Sequence, residues 1–388
     1  MNNFQHSFYL FLVIGLLLVG CGKEPTIVQE LKVPNLPSET YDYMSGQDNL
    51  VELRLPEPEI LQGLVESPLG VFNINSASPR VKTAVSSDES ATLGRVLFYD
   101  PSLSKNNTIS CASCHQQSKA FSDGSVASIG FGGKETSRNS MAFPNLAFNN
   151  NFFWDSRQHD LGTLISEPIT NHIEMGMEDV GALIEKLSNK AFYPELFNEA
   201  YGSPEITHDN LGLALTDFLA SITSTDATFD RAIENDFEDY TELQKLGMGL
   251  FFSSKTQCSS CHAGVNFAAD DDNGSEYQLT SGTANIGLDV EYEDNGRFAG
   301  QFKIPSLRNI SLTAPYMHDG RFETLRAVLD HYNGQVQPHA NLDDKLLANG
   351  IPQRLNLSSI ELDALEAFLN TLTDVELLND PKYSNPFL

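Results

Sequence analysis

The sequence predicts an all-α fold built on a duplicated unit. Three observations carry the prediction. Apolar residues recur at helical spacing in several segments, no segment keeps a strand-like alternation, and one short pattern occurs twice, each time ahead of a cysteine-histidine cluster. The repeated pattern is Leu93-Gly94-Arg95-Val96-Leu97-Phe98 and Leu246-Gly247-Met248-Gly249-Leu250-Phe251, each legible as a short amphipathic helix. Asp179 can cap a helix with Val180, Leu183, Ile184 and Leu187 on one face. Thr207 or Asp209 precedes the stripe Leu211, Leu215, Phe218, Leu219 and Ile222. Ser358-x-x-Glu361 is a capping box ahead of Leu362, Leu365, Phe368, Leu369 and Leu372.

Both repeated helices run into Cys-x-x-Cys-His, as Cys111-Ala112-Ser113-Cys114-His115 and Cys258-Ser259-Ser260-Cys261-His262. In this pentapeptide the thiols can form thioether links to haem vinyl groups, and the histidine that follows can meet the iron. A zinc site or a redox dithiol also uses Cys-x-x-Cys, but neither demands His directly after the second Cys, twice. The sequence therefore predicts two covalently bound haem c groups. It predicts two cytochrome c-like domains with long loops, one over 88–240 and one over 241–388, each with a haem as part of its core.

The chain has 388 residues and a net charge of −28, which excludes a nucleic-acid partner because the phosphate backbone needs a basic footprint. The charge suits steering of a basic redox partner, and it equally suits plain solubility. Haem attachment by thioether is expected outside the cytosol, and the N-terminus reads as an export signal. Phe8 to Val19 is apolar, and Leu18-Val19-Gly20-Cys21 resembles a lipoprotein cleavage box, giving a signal peptide over 1–21 with lipid on Cys21. Met1 to Ser7 has no Lys or Arg, so a cleaved soluble signal or an uncleaved anchor stays open. Gly22 rather than Asp after the cysteine favours an outer-membrane anchor facing the periplasm. Residues 22–87, with Pro25, Pro34, Pro37, Pro56, Pro58, Pro68 and Pro79 and no sustained period, read as a Pro-rich tether. The five cysteines are then all assigned, four to haem and one to lipid.

An iron with one open face can bind peroxide, whereas one with two protein ligands mainly passes electrons. Candidate distal donors are His159, His172, His208, His318, His331 and His339, with Met141, Met175, Met177, Met248 and Met317. By residue type alone Met317 is the first choice.

Phe153-Trp154-Asp155-Ser156-Arg157, Ile173-Glu174-Met175, Phe302-Lys303-Ile304-Pro305-Ser306-Leu307-Arg308-Asn309 and Ala314-Pro315-Tyr316-Met317-His318-Asp319-Gly320, taken with both haem motifs, resemble the di-haem bacterial cytochrome c peroxidases. The likeness is greater to the MauG branch. It spans roughly residues 88–375. The resemblance implies Tyr332 as the sixth ligand of the second haem, where other members use Met, with Met317 as runner-up. A tyrosinate would stabilise oxidised iron better than a thioether. It implies an open first haem, since the loop from Gln116 to Phe148 holds no histidine to serve as the distal ligand known in other members. It implies Glu174 as the acid-base group on peroxide, Trp154 as the electron path between the haems, and Pro168 over the peroxidatic haem. Leu164 replaces a family glutamine, which makes that pocket more apolar and favours a protonated Glu174. It also implies a calcium ion held by Asn139 and by the backbone oxygens of Thr313 and Pro315. The acidic run Asp270-Asp271-Asp272-Asn273-Gly274 reads as a solvated turn.

Three functions compete. The first is a peroxidase reducing hydrogen peroxide with electrons from a small cytochrome c or cupredoxin. The second is a MauG-like oxidase acting on a partner protein, favoured by Tyr332 and weakened by Thr256, where MauG has a surface tryptophan. The third is a plain di-haem electron carrier. Family peroxidases are often homodimers, though no interface is legible here.

Overall fold

A computed structural model describes residues 32–64, 81–269 and 282–388. The expected signal peptide with Cys21 and the acidic run at 270–274 lie outside the described residues. In chain order the helices are α1 (Met44–Val51), α2 (Pro58–Leu64), α3 (Asp88–Tyr99), α4 (Cys111–Cys114), α5 (Leu161–Leu164), α6 (Ser166–Thr170), α7 (Val180–Ser188), α8 (Phe192–Tyr201), α9 (His208–Ser221), α10 (Thr228–Ile233), α11 (Glu242–Phe252), α12 (Cys258–Cys261), α13 (Leu325–Asp330) and α14 (Ser359–Asn370). The strands among the described residues are two short antiparallel pairs, β1 (Thr283–Ala284) with β2 (Phe302–Lys303) and β3 (Leu347–Ala348) with β4 (Ile351–Pro352). The helix-rich expectation holds, and the expected caps form. Asp179 accepts from Ala182 N, Thr207 rather than Asp209 caps α9, and Ser358 and Glu361 close their box.

The duplication is visible as two equivalent helix pairs, α3 on α9 and α11 on α14. Each pair crosses at the glycine of the repeated pattern. A Cβ on Gly94 would lie 1.9 Å from Ala214 O and 2.7 Å from Phe218 Cβ; on Gly247 it would lie 1.9 Å from Ala364 O and 2.9 Å from Phe368 Cβ. Glycine here serves close approach of two backbones. The pairing Gly94 with Ala214-x-x-x-Phe218 therefore repeats as Gly247 with Ala364-x-x-x-Phe368.

Two boundaries differ from the sequence reading. Residues 34–64 and 81–87 of the expected tether pack into the body. Tyr43, Leu50 and Leu61 are fully buried, Gln47 Nε2 donates to Thr83 O and Ala220 O, and Val85 N donates to Gln47 Oε1. The prolines punctuate short helices: Pro58 opens α2, where its missing N–H costs nothing. Helices of this length cannot display a period, which is why the segment read as irregular. The division near residue 240 separates the helix pairs but not the packing. One hydrophobic core holds residues of both halves, and the C-terminal tail returns to the first half. There Tyr99 Oη donates to Tyr383 O (2.6 Å), Arg95 Nη1 to Pro381 O (2.9 Å) and Tyr383 Oη to Ser221 O (2.6 Å).

Candidate functional site

Each Cys-x-x-Cys forms a single helical turn, α4 or α12, that puts both thiols on one side. The histidine ends the turn, with His115 N bonded to Cys111 O at 3.0 Å and His262 N to Cys258 O at 2.9 Å. All four cysteines and both histidines line one cavity of about 540 Å³. The four thiols form no disulfide among the described residues, and burial pushes Cys111 up to about 12 and Cys114 up to about 11. A redox dithiol works through a thiolate of depressed pKa, so these buried thiols fit thioether formation better.

The imidazoles are set by backbone carbonyls. His115 Nδ1 bonds Phe121 O at 2.9 Å, with Ser140 Oγ at 3.2 Å; His262 Nδ1 bonds Phe267 O at 3.2 Å and Pro305 O at 3.1 Å. An N–H at Nδ1 leaves the Nε2 lone pair free for a metal. Burial holds both imidazoles down at about 4, so they are neutral at physiological pH. Phe121 (φ 61°) and Phe267 (φ 49°) both adopt left-handed backbone to aim these carbonyls. This second element of the repeat escaped the sequence reading. Its trace is a Phe followed by a small residue soon after each motif. The donor set, its tautomers and its apolar walls fit a haem at each motif.

Glu174 lines the same cavity, and burial raises its pKa, with Arg157 opposing and Glu167 adding. Asn171 Nδ2 donates to Glu174 Oε1 at 2.9 Å. The glutamate turn is braced by the loop at 128–133. Phe131 N bonds Ile173 O (2.7 Å), and a Cβ on Gly130 would lie 2.1 Å from Ile173 O. Leu164 and Pro168, from α5 and α6, line the cavity too.

Trp154 stands in the same wall. Its Nε1 donates to Asn139 O (2.9 Å), and its carbonyl accepts Lys303 N (2.7 Å) from β2. Arg138 joins Asp155 to Asp294, through Nη1 at 2.8 Å and through Nε at 2.7 Å with Nη2 at 2.8 Å. Arg157 lies over the Phe153 ring at 3.6 Å and pairs with Asp155 and Glu167.

Tyr332 sits in a single π-helical turn (His331–Gln335) and lines the cavity. Burial raises its pKa, and the two thiols of the second motif add to the rise. Its hydroxyl makes no hydrogen bond among the described residues. Met317, the runner-up, lines the same cavity. Asn139, Thr313 and Pro315 also line it, and Asn139 spends its Nδ2 on Ser125 O and its backbone carbonyl on Trp154. Among the described residues no cluster of three or more His, Cys, Asp or Glu could hold a metal ion. His159 and His172 are exposed and lie off the cavity. His318 lines it but is stacked on Phe302 at 3.5 Å between ring centres.

A helix-rich body with two Cys-x-x-Cys-His turns opening on one cavity carries the residues a c-type haem protein needs, and comparison with known proteins gives its family. Residues 88–238 match the family model for di-haem cytochrome c peroxidase. The chain is 34% identical to methylamine utilization protein MauG of Methylorubrum extorquens, over 78% of this chain and 83% of that one. It is 30% identical to cytochrome c551 peroxidase of Nitrosomonas europaea, over 84% and 91% respectively. Among solved structures it superposes on a MauG-like protein associated with microbial copper homeostasis with a TM-score of 0.69, at 31% identity, covering 78% of this chain and 94% of that one. The chain belongs to the di-haem cytochrome c peroxidase and MauG family.

Proposed function

We propose that the protein is a di-haem peroxidase that reduces hydrogen peroxide to two waters, taking two electrons from a small cytochrome c or cupredoxin and two protons from solvent. The observation that carries this reading is Glu174, a carboxyl whose pKa burial raises, set in the cavity that His115 also lines. Bound haem supplies the iron that accepts peroxide and the electrons that cleave its O–O bond. His115 Nε2 would hold the first haem and His262 Nε2 the second. Glu174 takes the proton of the inner peroxide oxygen and returns it to the outer one, so that the leaving group departs as water. Asn171 orients that carboxyl, while Leu164 and Pro168 keep water from it. Trp154 offers an indole on the wall shared by both motifs and serves as the electron path. Calcium at Asn139, Thr313 and Pro315, lipid on Cys21, a periplasmic location and a homodimer belong to the same reading. No described helix is long and apolar enough to cross a membrane.

The second reading, an oxidase that modifies a partner protein, is favoured by the Tyr332 hydroxyl beside the second motif, which makes no hydrogen bond among the described residues. Against it, Thr256 is buried and spends its hydroxyl on Leu250 O, so it offers no surface relay. The test is stopped-flow mixing of the holoprotein, reduced small cytochrome c and peroxide. Two cytochromes oxidised per peroxide support peroxidase action. Two low-spin haems that leave cytochrome and peroxide untouched would sink both readings and leave a carrier. Oxidised tyrosine or tryptophan on a co-purified protein, without cytochrome turnover, would favour the second.

A further inference from the structure

We infer that the ion bridge Asp294–Arg138–Asp155 is the positioning device for Trp154, fixing its indole N–H on the Asn139 carbonyl. Two adjacent pairs of residues face each other as rungs. Arg138 reaches Asp155 through its side chain, and the next residue, Asn139, receives the indole of the residue before Asp155. Asn139 has bonds of its own, N to His318 O and Nδ2 to Ser125 O at 2.7 Å each, and the anchor of the adjacent Arg138 adds the constraint that ties its carbonyl to the Trp154 segment. That anchor is Asp294, which takes the guanidinium fork bidentately at 2.7 and 2.8 Å. Asp294 is itself pinned, since its Oδ1 accepts Gly296 N at 2.9 Å. The guanidinium also lies over Phe302, 5.7 Å from the ring centre. Phe302 immediately precedes Lys303, whose N–H holds the Trp154 carbonyl.

The bridge is only partly exposed, with Arg138 at 18%, Asp155 at 17% and Asp294 at 32%, so its charges are less screened than a surface pair. It joins the Trp154 segment of the first half to the loop between β1 and β2 in the second. The indole is thereby held against both halves at once, by a contact outside the haem motifs. Arg138 and Asp294 act through other groups and are positioning residues.

This inference deepens the electron-path reading of Trp154, and the experiment separates the two. Trp154 is the chain's single tryptophan, so ultraviolet resonance Raman of the holoprotein reads its N–H hydrogen bond without interference. Arg138→Gln should move the indole band toward a weaker bond while haem content and resting haem spectra stay as in the parent. Asp294→Asn, which leaves Arg138 and Asp155 in place, should move it the same way and keeps the test open if Arg138→Gln fails to fold. Both variants should slow electron transfer between the haems after flash reduction, by roughly tenfold, as expected for a misplaced relay. An indole band unmoved in the folded variants overturns the assignment. A moved band with an inter-haem rate unchanged in both variants and in Trp154→Phe supports the positioning role and overturns the electron-path reading instead.

Discussion

Replacing Glu174 by Gln separates proton carriage from everything else the residue does. Gln keeps the shape, and its carbonyl oxygen can still accept Asn171 Nδ2, which bonds Glu174 Oε1 at 2.9 Å in the parent. Only the exchangeable acid is lost. A positioned acid-base group contributes about 10²–10⁴-fold, or about 2.7–5.5 kcal/mol of barrier. In steady-state assays with reduced cytochrome c, kcat/KM for peroxide should fall by that factor, with haem content unchanged. Stability should move the other way. Burial, with Glu167 adding and Arg157 opposing, lifts the Glu174 pKa above its ordinary 4.5. Between 4.5 and the raised value the folded chain keeps a proton that the unfolded chain has released. The group's contribution is therefore full below 4.5 and is lost as pH rises through the folded pKa. Gln cannot ionise and escapes that loss. In denaturant titrations Glu174→Gln should match the parent in acid and equal or exceed it at about pH 8. A loss of kcat/KM smaller than about tenfold would refute the acid-base role. A lower midpoint at alkaline pH would refute the buried-acid argument, whatever the kinetics.

Further outcomes follow from the same geometry. Gly94→Ala and Gly247→Ala each drive a Cβ to 1.9 Å from a facing carbonyl, so each should cost about 3 kcal/mol, the upper range of overpacking, read from denaturation midpoints. Tyr332→Phe should alter the resting optical and EPR signature of the second haem while Met317→Leu leaves it unchanged; the reverse pattern would make Met317 the ligand. Asp100 is buried, which opposes its charge, yet Lys190, Ser102 N and Tyr193 hold its pKa below 3.8. Its stabilisation is thus present above 3.8 and lost as pH falls through the folded value, so Asp100→Asn should flatten acid unfolding and cost about 3 kcal/mol at pH 7 by stranding Lys190.

What could be read in advance was local. Caps at Asp179, Thr207 and Ser358 act within one turn, and the stripes Leu211–Ile222 and Leu362–Leu372 repeat within one helix, so a short window reveals them. The same holds for both haem motifs and the glycine that precedes each. Contacts that join distant segments leave no such trace. Arg138 and Asp294 lie far apart in the chain, and nothing in either neighbourhood announces the other. The return of Tyr383 onto Ser221 and the burial of Tyr43 were hidden for the same reason, compounded by helices too short to show a period.

The duplicated halves also show where function could diverge. Three features are common to both: glycine at the helix crossing, a one-turn Cys-x-x-Cys, and a left-handed Phe whose carbonyl takes the histidine N–H. These are the features that would seat a haem and set its proximal histidine, so duplicating them provides for two. Divergence is confined to what else reaches the cavity. The first half supplies a buried carboxyl of raised pKa, Glu174, from a turn braced by the 128–133 loop; the second supplies the phenol Tyr332 from a π-helical turn that has no counterpart among the described residues of the first. A carboxyl can move protons between oxygens, and a phenol can ligate iron. Under the proposed function, two equal sites would thus become unequal without altering the helices that hold them, and Trp154 on their shared wall would have a direction in which to pass charge.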